Sequence, residues 1–507
     1  MGLWGFYFLA KLYLYFKGYL RLHIVLNLLF ALFLTVPIPE KYRYRALTAL
    51  KAILSLAIGF VLLWYDSWLS SPFDAMNFLQ SQGMPSKEYI ISFVLGAVSP
   101  REAMIIGVIF ILSLVINKYL KLTPIVVILL LAAIPLSGTS KAEVKNAAQT
   151  LDEFFDYESQ RVVRFKGAPS PDFDIVILHV CSLSSDDLKE TGLENDPFFS
   201  QFDYLFTNFN TATSYSGPAV IRLLRSPCGQ PRHDDLYTET SKDCFLFDAL
   251  ASRGFEANLA FNHDGIYGNF AEDVKRFGHL HAPPLRMNDL NLSLYMFDNS
   301  PVYDDYQVLE KWWRTREHSK PGAALYYNTV TLHDGAHWAG EKKWFQRDRK
   351  EQYVERLHKL LENMNRFFNL LASSGRKVVV VFVPEHGMAL KGTNMQVMGL
   401  RDIPLPQITK VPVGIKVLGG GLNGAKAGQK IISKPTSYLA ITHMLSSFME
   451  KSPFVNDNYS SRAFIENIPQ TDLVSENLGM LIMKDGPKYY LHGKEKNWIE
   501  IMESDLN

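Results

Sequence analysis

Hydrophobic positions divide the chain into two unlike parts. From residue 1 to about 138 they come in long runs, at about 3–18, 22–38, 47–65, 102–117 and 122–138. Such lengths approach what a hydrocarbon core of about 30 Å asks of a spanning helix. The first run, LWGFYFLAKLYLYFKG, carries Lys11 and several Tyr and Phe residues, a composition that also suits a helix lying in the interface. From about 172 onward, short apolar runs alternate with helical stretches. The pattern predicts strands at 174–181, 256–261, 324–333, 377–384 and 412–418, with helices at 217–225, 245–253, 350–374 and 436–450. Strands alternating with helices predict a mostly parallel central sheet flanked by helices. The tail, about 476–502, reads as small hairpins at the sheet edge, around Asp485–Gly486 and His492–Gly493. The expected organisation is an N-terminal α-helical transmembrane domain (1–138, about five helices), a juxtamembrane helix and linker (139–171), and a C-terminal α/β domain (172–507).

Charge orients the first part. The loop PIPEKYRYR holds Lys41, Arg43 and Arg45, and the connection INKYLKL holds Lys118 and Lys121. Lysine and arginine mark the cytoplasmic side. The connection near 66–100 carries acidic, Pro and Ser residues and few basic ones, which places it outside. The last run then exits outward, so the α/β domain is extracytoplasmic. The whole chain of 507 residues has a formal net charge of +1. There is no basic excess to argue for nucleic acid. Of the three cysteines, Cys228 and Cys244 flank a polar stretch and Cys181 stands alone at a strand end. An oxidising compartment lets the first two pair; a reducing one leaves them as thiols.

Three segments hold the candidate chemistry. VVVVFVPEHG ends a buried strand in Glu385 and His386, DIVILHVCS ends another in Cys181, and SYSGPAVIRLL places Ser216 at a helix start. Glu, His and Cys are three zinc ligands, leaving the open fourth position that catalytic zinc needs. Adjacent side chains leave a strand on opposite faces, so Glu385 and His386 converge only if the backbone turns, which Gly387 permits. The plain alternatives are a solvated acid beside a packed histidine, and a buried inert cysteine. Ser216 suits a nucleophile activated by a metal, and equally an N-cap of the helix that Gly217 and Pro218 open. Thr213 and Ser214 stand near enough to take its place. His333 is read as ending the strand 324–333 and facing the site, with His337 reaching it past Gly335. Their chemistry would be to bind phosphoryl oxygens or protonate a leaving group. Arg401 suits bidentate phosphate binding, or a surface pair with Asp402. His263 and Asp264, and Tyr303 to Asp305, line an acceptor groove or make turns. Trp338 and Trp344 stack on sugars or pack.

Together these residues resemble the alkaline-phosphatase-like phosphoethanolamine transferases, most nearly the bacterial branch that acts on cellulose. The likeness is carried by CSLS (181–184), FNTATSYSGPAVIRLLRSPCGQ (209–230), NSPVYDD (299–305), YNTVTLHDGAH (327–337) and PEHGMALKG through GLRDIPLPQITKVPVG (384–414), and it spans nearly the whole chain. It implies an alkaline-phosphatase-like α/β fold. It implies one Zn2+ per chain held by Cys181, Glu385 and His386, with Ser216 as both ligand and nucleophile. His333 and Arg401 would hold the phosphate, and Cys228 and Cys244 would form a disulfide. The implied reaction moves phosphoethanolamine from phosphatidylethanolamine to the glucose 6-OH of cellulose through a phosphoserine-type intermediate. The implied setting is a bacterial inner membrane, multi-pass, with the catalytic domain in the periplasm beside the subunits of a cellulose synthase complex. The wider superfamily usually has an acid at position 181, a threonine at 216 and an aspartate at 385. Those departures point to the cellulose branch and to a single metal. A lipid A acceptor, a phosphodiesterase- or sulfatase-like hydrolase, and a non-catalytic scaffold of the synthase complex are the competing classes.

Overall fold

The Val, Ile and Leu runs become the inner strands of one sheet. The computed structural model describes residues 2–506 except 43, 70–84, 98, 134–140, 167–170, 319–321, 420–427, 455–463 and 494–496. In chain order its first ten strands are β1 (Asp174–Val180), β2 (Tyr204–Asn210), β3 (Glu256–Phe261), β4 (Leu292–Tyr295), β5 (Pro301–Tyr303), β6 (Ala323–Thr329), β7 (His337–Trp338), β8 (Val378–Pro384), β9 (Lys410–Leu418) and β10 (Lys430–Ile432). Seven of them form the main sheet in the order β10-β2-β9-β8-β1-β6-β3. The pairings β1–β6, β1–β8, β3–β6 and β10–β2 are parallel, and β9 runs antiparallel to both its neighbours. The sheet is therefore mostly parallel.

Every residue of β1, β6 and β8 is buried, which is why their sequences lack the alternation of a half-exposed strand. One face packs on the helix Arg349–Ser373, through Tyr353, Leu357, Leu360, Met364, Phe367 and Leu371. The other face packs on the helices Ser216–Leu224 and Tyr438–Glu450. Each such aliphatic side chain contributes roughly 1.5–3 kcal/mol of burial.

Beyond the short strands β4, β5, β7 and β10, which the pattern did not predict, the structure departs from the sequence reading in four places. The strand β2 was not anticipated; its polar Thr207 and Asn208 interrupt the apolar pattern beside a register shift against β9. The strand expected at 324–333 stops at Thr329. There Asn262 accepts from Val330 N–H, and Thr331 donates to Asp305, drawing the backbone away from its neighbours. His333 thus lies in a turn beyond the strand instead of ending it. The tail forms the hairpins expected around Asp485–Gly486 and His492–Gly493, but not at the edge of the main sheet: β11 (Val474–Asn477), β12 (Met480–Asp485), β13 (Lys488–His492) and β14 (Trp498–Ile501) make a separate antiparallel sheet. The helix Lys141–Ser159 packs on it through Ala147, Leu151 and Phe155. The fourth departure is a helix, Lys87–Ala97, in the outer connection.

The five long apolar runs form the helices Trp4–Phe16, Ile24–Thr35, Arg45–Asp66, Pro100–Tyr119 and Leu122–Ala132. Arg45–Asp66 and Pro100–Tyr119 are long and apolar enough to cross a membrane. The second run is cut short before Pro37, whose ring disfavours helix in the residue ahead of it. Lys11, odd in an apolar helix, is buried and pairs with Asp66 and Asn27, so the first helix belongs to the bundle. Cys228 and Cys244 are joined in a disulfide.

Candidate metal and nucleophile site

The site follows from strand register. Val180 lies opposite Pro384 in the β1–β8 pairing, so the residues after these strands leave the same end of the sheet. Glu385 N–H still donates to Val180 O (2.8 Å), and Cys181 N–H to Thr329 O (2.9 Å). The chain then turns sharply at Ser182, whose φ of 62° is a left-handed conformation few serines adopt. Gly387 has another role than the one its sequence suggested. Its φ is ordinary, but an added Cβ would lie 2.5 Å from Ser184 Oγ. It is needed for close packing, not for a left-handed turn.

Ser216 opens the helix Ser216–Leu224, while the N-cap position is Tyr215 and makes no side-chain capping bond. The Ser216 hydroxyl is thus not spent on capping. It lies 3.6 Å from Cys181 Sγ and 3.3 Å from His386 Nε2, and Cys181 Sγ lies 3.9 Å from His386 Nε2. One ligand atom each from Cys181, Glu385 and His386 falls within 4.8 Å of the others, all buried. Atoms bound tetrahedrally to one zinc at about 2.0–2.3 Å would be separated by about 3.3–3.8 Å.

The electrostatics of the cluster ask for a cation. Burial, reinforced by the charge of Glu385, pushes the Cys181 thiol up to about 12. Burial pushes the Glu385 carboxyl up to about 7, and with Arg401 it drives His386 well below the ordinary histidine value. Glu385 Oε2 is buried with no hydrogen-bond partner. His386 Nδ1 meets Gly387 O at 2.9 Å; it donates there, which leaves Nε2 as a lone pair aimed at the cluster. A soft thiolate, an imidazole nitrogen and one carboxylate oxygen are a donor set that suits zinc.

Around this cluster the structure gathers Arg401 and His333. Arg401 Nη1 donates to Ser182 Oγ (3.2 Å). Its backbone carbonyl accepts from Ser214 Oγ and from Asn477 Nδ2 (2.9 Å), and Thr213 Oγ1 donates to Asn477 Oδ1 (3.0 Å). Ser214 and Thr213 are therefore engaged in holding the Arg401 segment, which separates them from Ser216. Asp402 accepts from Tyr215 OH at 2.6 Å. His333 stacks on Phe297 (5.4 Å between centroids) and meets the edge of Tyr267 (5.8 Å). Burial, then the charge of Arg401, lowers it to about 4, so it is neutral at neutral pH. His337 is not brought to the cluster by its contacts. It sits in β7, stacked on Trp344 at 4.2 Å with its Nδ1 on Gly335 O.

Sequence reasoning missed Asn328. Its Nδ2 donates to Glu385 Oε1 (2.5 Å) and its Oδ1 meets His263 Nε2 at 2.8 Å. Gly265 N–H donates to His263 Nδ1 (3.1 Å). That fixes the tautomer: His263 Nε2–H donates to Asn328, Asn328 donates to Glu385, and Oε2 is the oxygen left over. His179, lowered by burial to about 3, lies 3.5 Å from Glu385 through Nδ1 and shares that nitrogen with Tyr326 OH. Asn328 stands in a strand reading LYYNTV, and nothing local marks it. Asp304 caps the helix Asp305–Thr315, and Asp305 accepts from Tyr327 and Thr331, so that acidic pair is structural.

The model of the cellulose biosynthesis protein BcsG C-terminal domain matches residues 134–498, and that of the BcsG N-terminal domain matches residues 4–136. The chain belongs to the BcsG family. It is 36% identical over 544 residues to the cellulose biosynthesis protein BcsG of Escherichia coli K12, covering 98% of this chain and 95% of that one. It is likewise 36% identical over 548 residues to the Salmonella typhimurium LT2 protein of the same name, with coverages of 98% and 95%. Among solved structures, a Vibrio parahaemolyticus protein of the alkaline phosphatase superfamily superposes with a TM-score of 0.49 at 12% identity, over 73% of this chain and 90% of that one. The C-terminal periplasmic domain of EcEptC from Escherichia coli, in complex with Zn, superposes with a TM-score of 0.45 at 13% identity, over 62% and 93%.

Proposed function

We propose that the protein moves phosphoethanolamine from phosphatidylethanolamine to the glucose 6-OH of cellulose, in the periplasm, with Ser216 as nucleophile. What supports this most is the uncapped Ser216 hydroxyl within 3.6 Å of both a thiol and an imidazole that share a buried carboxylate neighbour. Membership of a cellulose biosynthesis family supports the acceptor and a partnership with cellulose synthase subunits. The apolar helices support a donor drawn from the inner membrane.

One zinc would be held by Cys181, Glu385, His386 and Ser216, where it would keep the serine as an alkoxide and offset charge on phosphoryl oxygens. Ser216 Oγ attacks phosphorus; the O–P bond to serine forms and the bond to the diacylglycerol oxygen breaks. The proton lost by the serine balances the one the diacylglycerol takes up. Arg401, half-buried and fixed through its carbonyl, would face the phosphoryl oxygens with its guanidinium. In the second step the glucose hydroxyl attacks the same phosphorus and Ser216 leaves. His333 Nδ1 lies 2.9 Å from the carbonyl of Asp334 and donates there. Its Nε2 is thus the lone pair that takes the incoming hydroxyl's proton.

The whole protein in lipid is incubated with phosphatidylethanolamine and its mass measured, beside Ser216→Ala. A phosphoethanolamine adduct that maps to Ser216, and leaves on adding cellulose, is expected. Release to water at the same rate without cellulose would make the protein a hydrolase. Unmodified wild type in the presence of donor would remove the nucleophile assignment.

A further inference from the structure

The helix Lys87–Ala97 has two faces, and the protein covers only one. Tyr89 OH donates to Asp334 Oδ2 (2.7 Å), and Asp334 also pairs with Arg349 (2.6 Å). The guanidinium of Arg349 lies over the Phe93 ring (5.4 Å), and Tyr89 packs on Phe297 (5.3 Å), the ring that stacks on His333. Ahead of the helix, Ser86 N–H donates to Phe297 O (3.0 Å). Glycines make room for this contact on both sides. A Cβ at Gly335 would lie 2.5 Å from Tyr89 Cδ2, and one at Gly96 would lie 3.1 Å from Arg349.

The other face carries Ile90, Ile91, Val94 and Leu95, each between 47% and 67% exposed. Positions i, i+1, i+4 and i+5 form one stripe along a helix. The chain then enters, at Pro100, a helix long and apolar enough to cross a membrane, with Met104, Val108 and Ile111 exposed along it. The stripe thus lies, in the chain, directly ahead of a helix whose exposed surface is apolar and long enough to meet lipid.

We infer that Lys87–Ala97 is an interfacial helix: its apolar stripe lies in the outer leaflet of the bilayer, and its opposite face holds the His333 turn at headgroup level. A lipid whose phosphate lies in that plane reaches Ser216 without leaving the membrane. The lipid-donor consequence rests on the proposed function; the placement of the helix does not. A four-residue apolar stripe beside Lys87 and Glu88 matches a helix that lies on a membrane, not one that spans it.

One cysteine at a time is added at Leu95, Ser92 or Lys189 of the whole protein and labelled with bimane; its own Cys181 is buried, and Cys228 and Cys244 are paired. The protein is reconstituted in vesicles with a nitroxide near the lipid headgroup. Loss of fluorescence at Leu95→Cys, with Ser92→Cys and Lys189→Cys unquenched, is expected. Leu95 quenched no more than Lys189, an exposed site on the catalytic domain, would overturn the inference. In a second arm, Val94→Glu should raise KM about tenfold for phosphatidylethanolamine in vesicles, less than a charge costs at the bilayer centre because the helix lies at the interface. Its turnover of a water-soluble short-chain donor should match wild type; an equal fall on both donors counts against the lipid surface. Quenching in a protein that never turns over the lipid keeps the placement and removes the donor. Turnover without quenching does the reverse.

Discussion

The two ends of β1 carry buried ionisable groups under opposite terms. At its start, Asp174 is fully buried yet pairs with Arg316 and Arg376 and accepts N–H donors from Gly322 and Ala323. That end is a closed network. At its other end, Cys181, Glu385 and His386 are equally buried, but burial shifts all three towards their neutral forms and Glu385 Oε2 has no partner. A buried charge with its partners in place is architecture. A buried set of metal donors whose partners are neutral groups, among them Asn328 on Glu385 Oε1 and Gly387 O on His386 Nδ1, has no positive charge bonded to it among the described residues and can hold a cation.

The sharpest break in this comparison is chemical. Ser216→Ala should leave the fold intact, keep zinc on the three donors Cys181, Glu385 and His386 at lower affinity, and lower transfer by about 10⁴-fold or more, as loss of a nucleophile does elsewhere. Release of diacylglycerol in vesicles measures it. Next come matched substitutions at the two ends. Asp174→Asn should destabilise the protein by about 3–5 kcal/mol in denaturant melts, because two arginines lose their buried partner. Glu385→Gln in metal-free protein should do the opposite at pH 8, by on the order of 1–3 kcal/mol. The sign follows from the carboxyl's rise to about 7 when folded, against about 4.3 unfolded. The folded state holds the proton between those values, so metal-free stability falls as pH rises through that window. Zinc should reverse the trend. Its binding would release the Cys181 proton and, below about 7, the Glu385 proton as well, so affinity should fall as pH drops and fall more steeply below 7. Smallest is Asn328→Ala, which should weaken zinc by about 10–100-fold by freeing the orientation of Glu385; competition with a zinc indicator reads it.

What the sequence disclosed, and what it hid, follows the same division. Cys181, Glu385, His386 and Ser216 were legible because a chemically able residue at the end of an apolar run is a local signal. The helix start at Gly217–Pro218 was equally local. His333 was placed wrongly relative to its strand, because Val330 and Leu332 continue the apolar pattern after Asn262 has already drawn the backbone away. The helix Lys87–Ala97 was missed since both its faces are apolar or aromatic, one packed against protein and one exposed, which leaves no polar side to show a helical period. Asn328 and Asp174 were invisible for a different reason: each acts through partners 50 or more residues away, Asn328 on Glu385 at 57 and Asp174 on Arg316 at 142; His263 was singled out, but its bond to Asn328, 65 residues on, was not foreseeable. The disulfide between Cys228 and Cys244 depended on the compartment, which charge asymmetry supplied.

At the far end of β1, Cys181 would give zinc one sulfur neighbour. X-ray absorption at the zinc edge, on the whole protein in lipid beside Cys181→Ser, reads that neighbour. One zinc per chain with one sulfur neighbour in wild type, and none in the variant, is the predicted result. Folded wild-type protein that takes up no zinc, or zinc bound by nitrogen and oxygen alone, would contradict it.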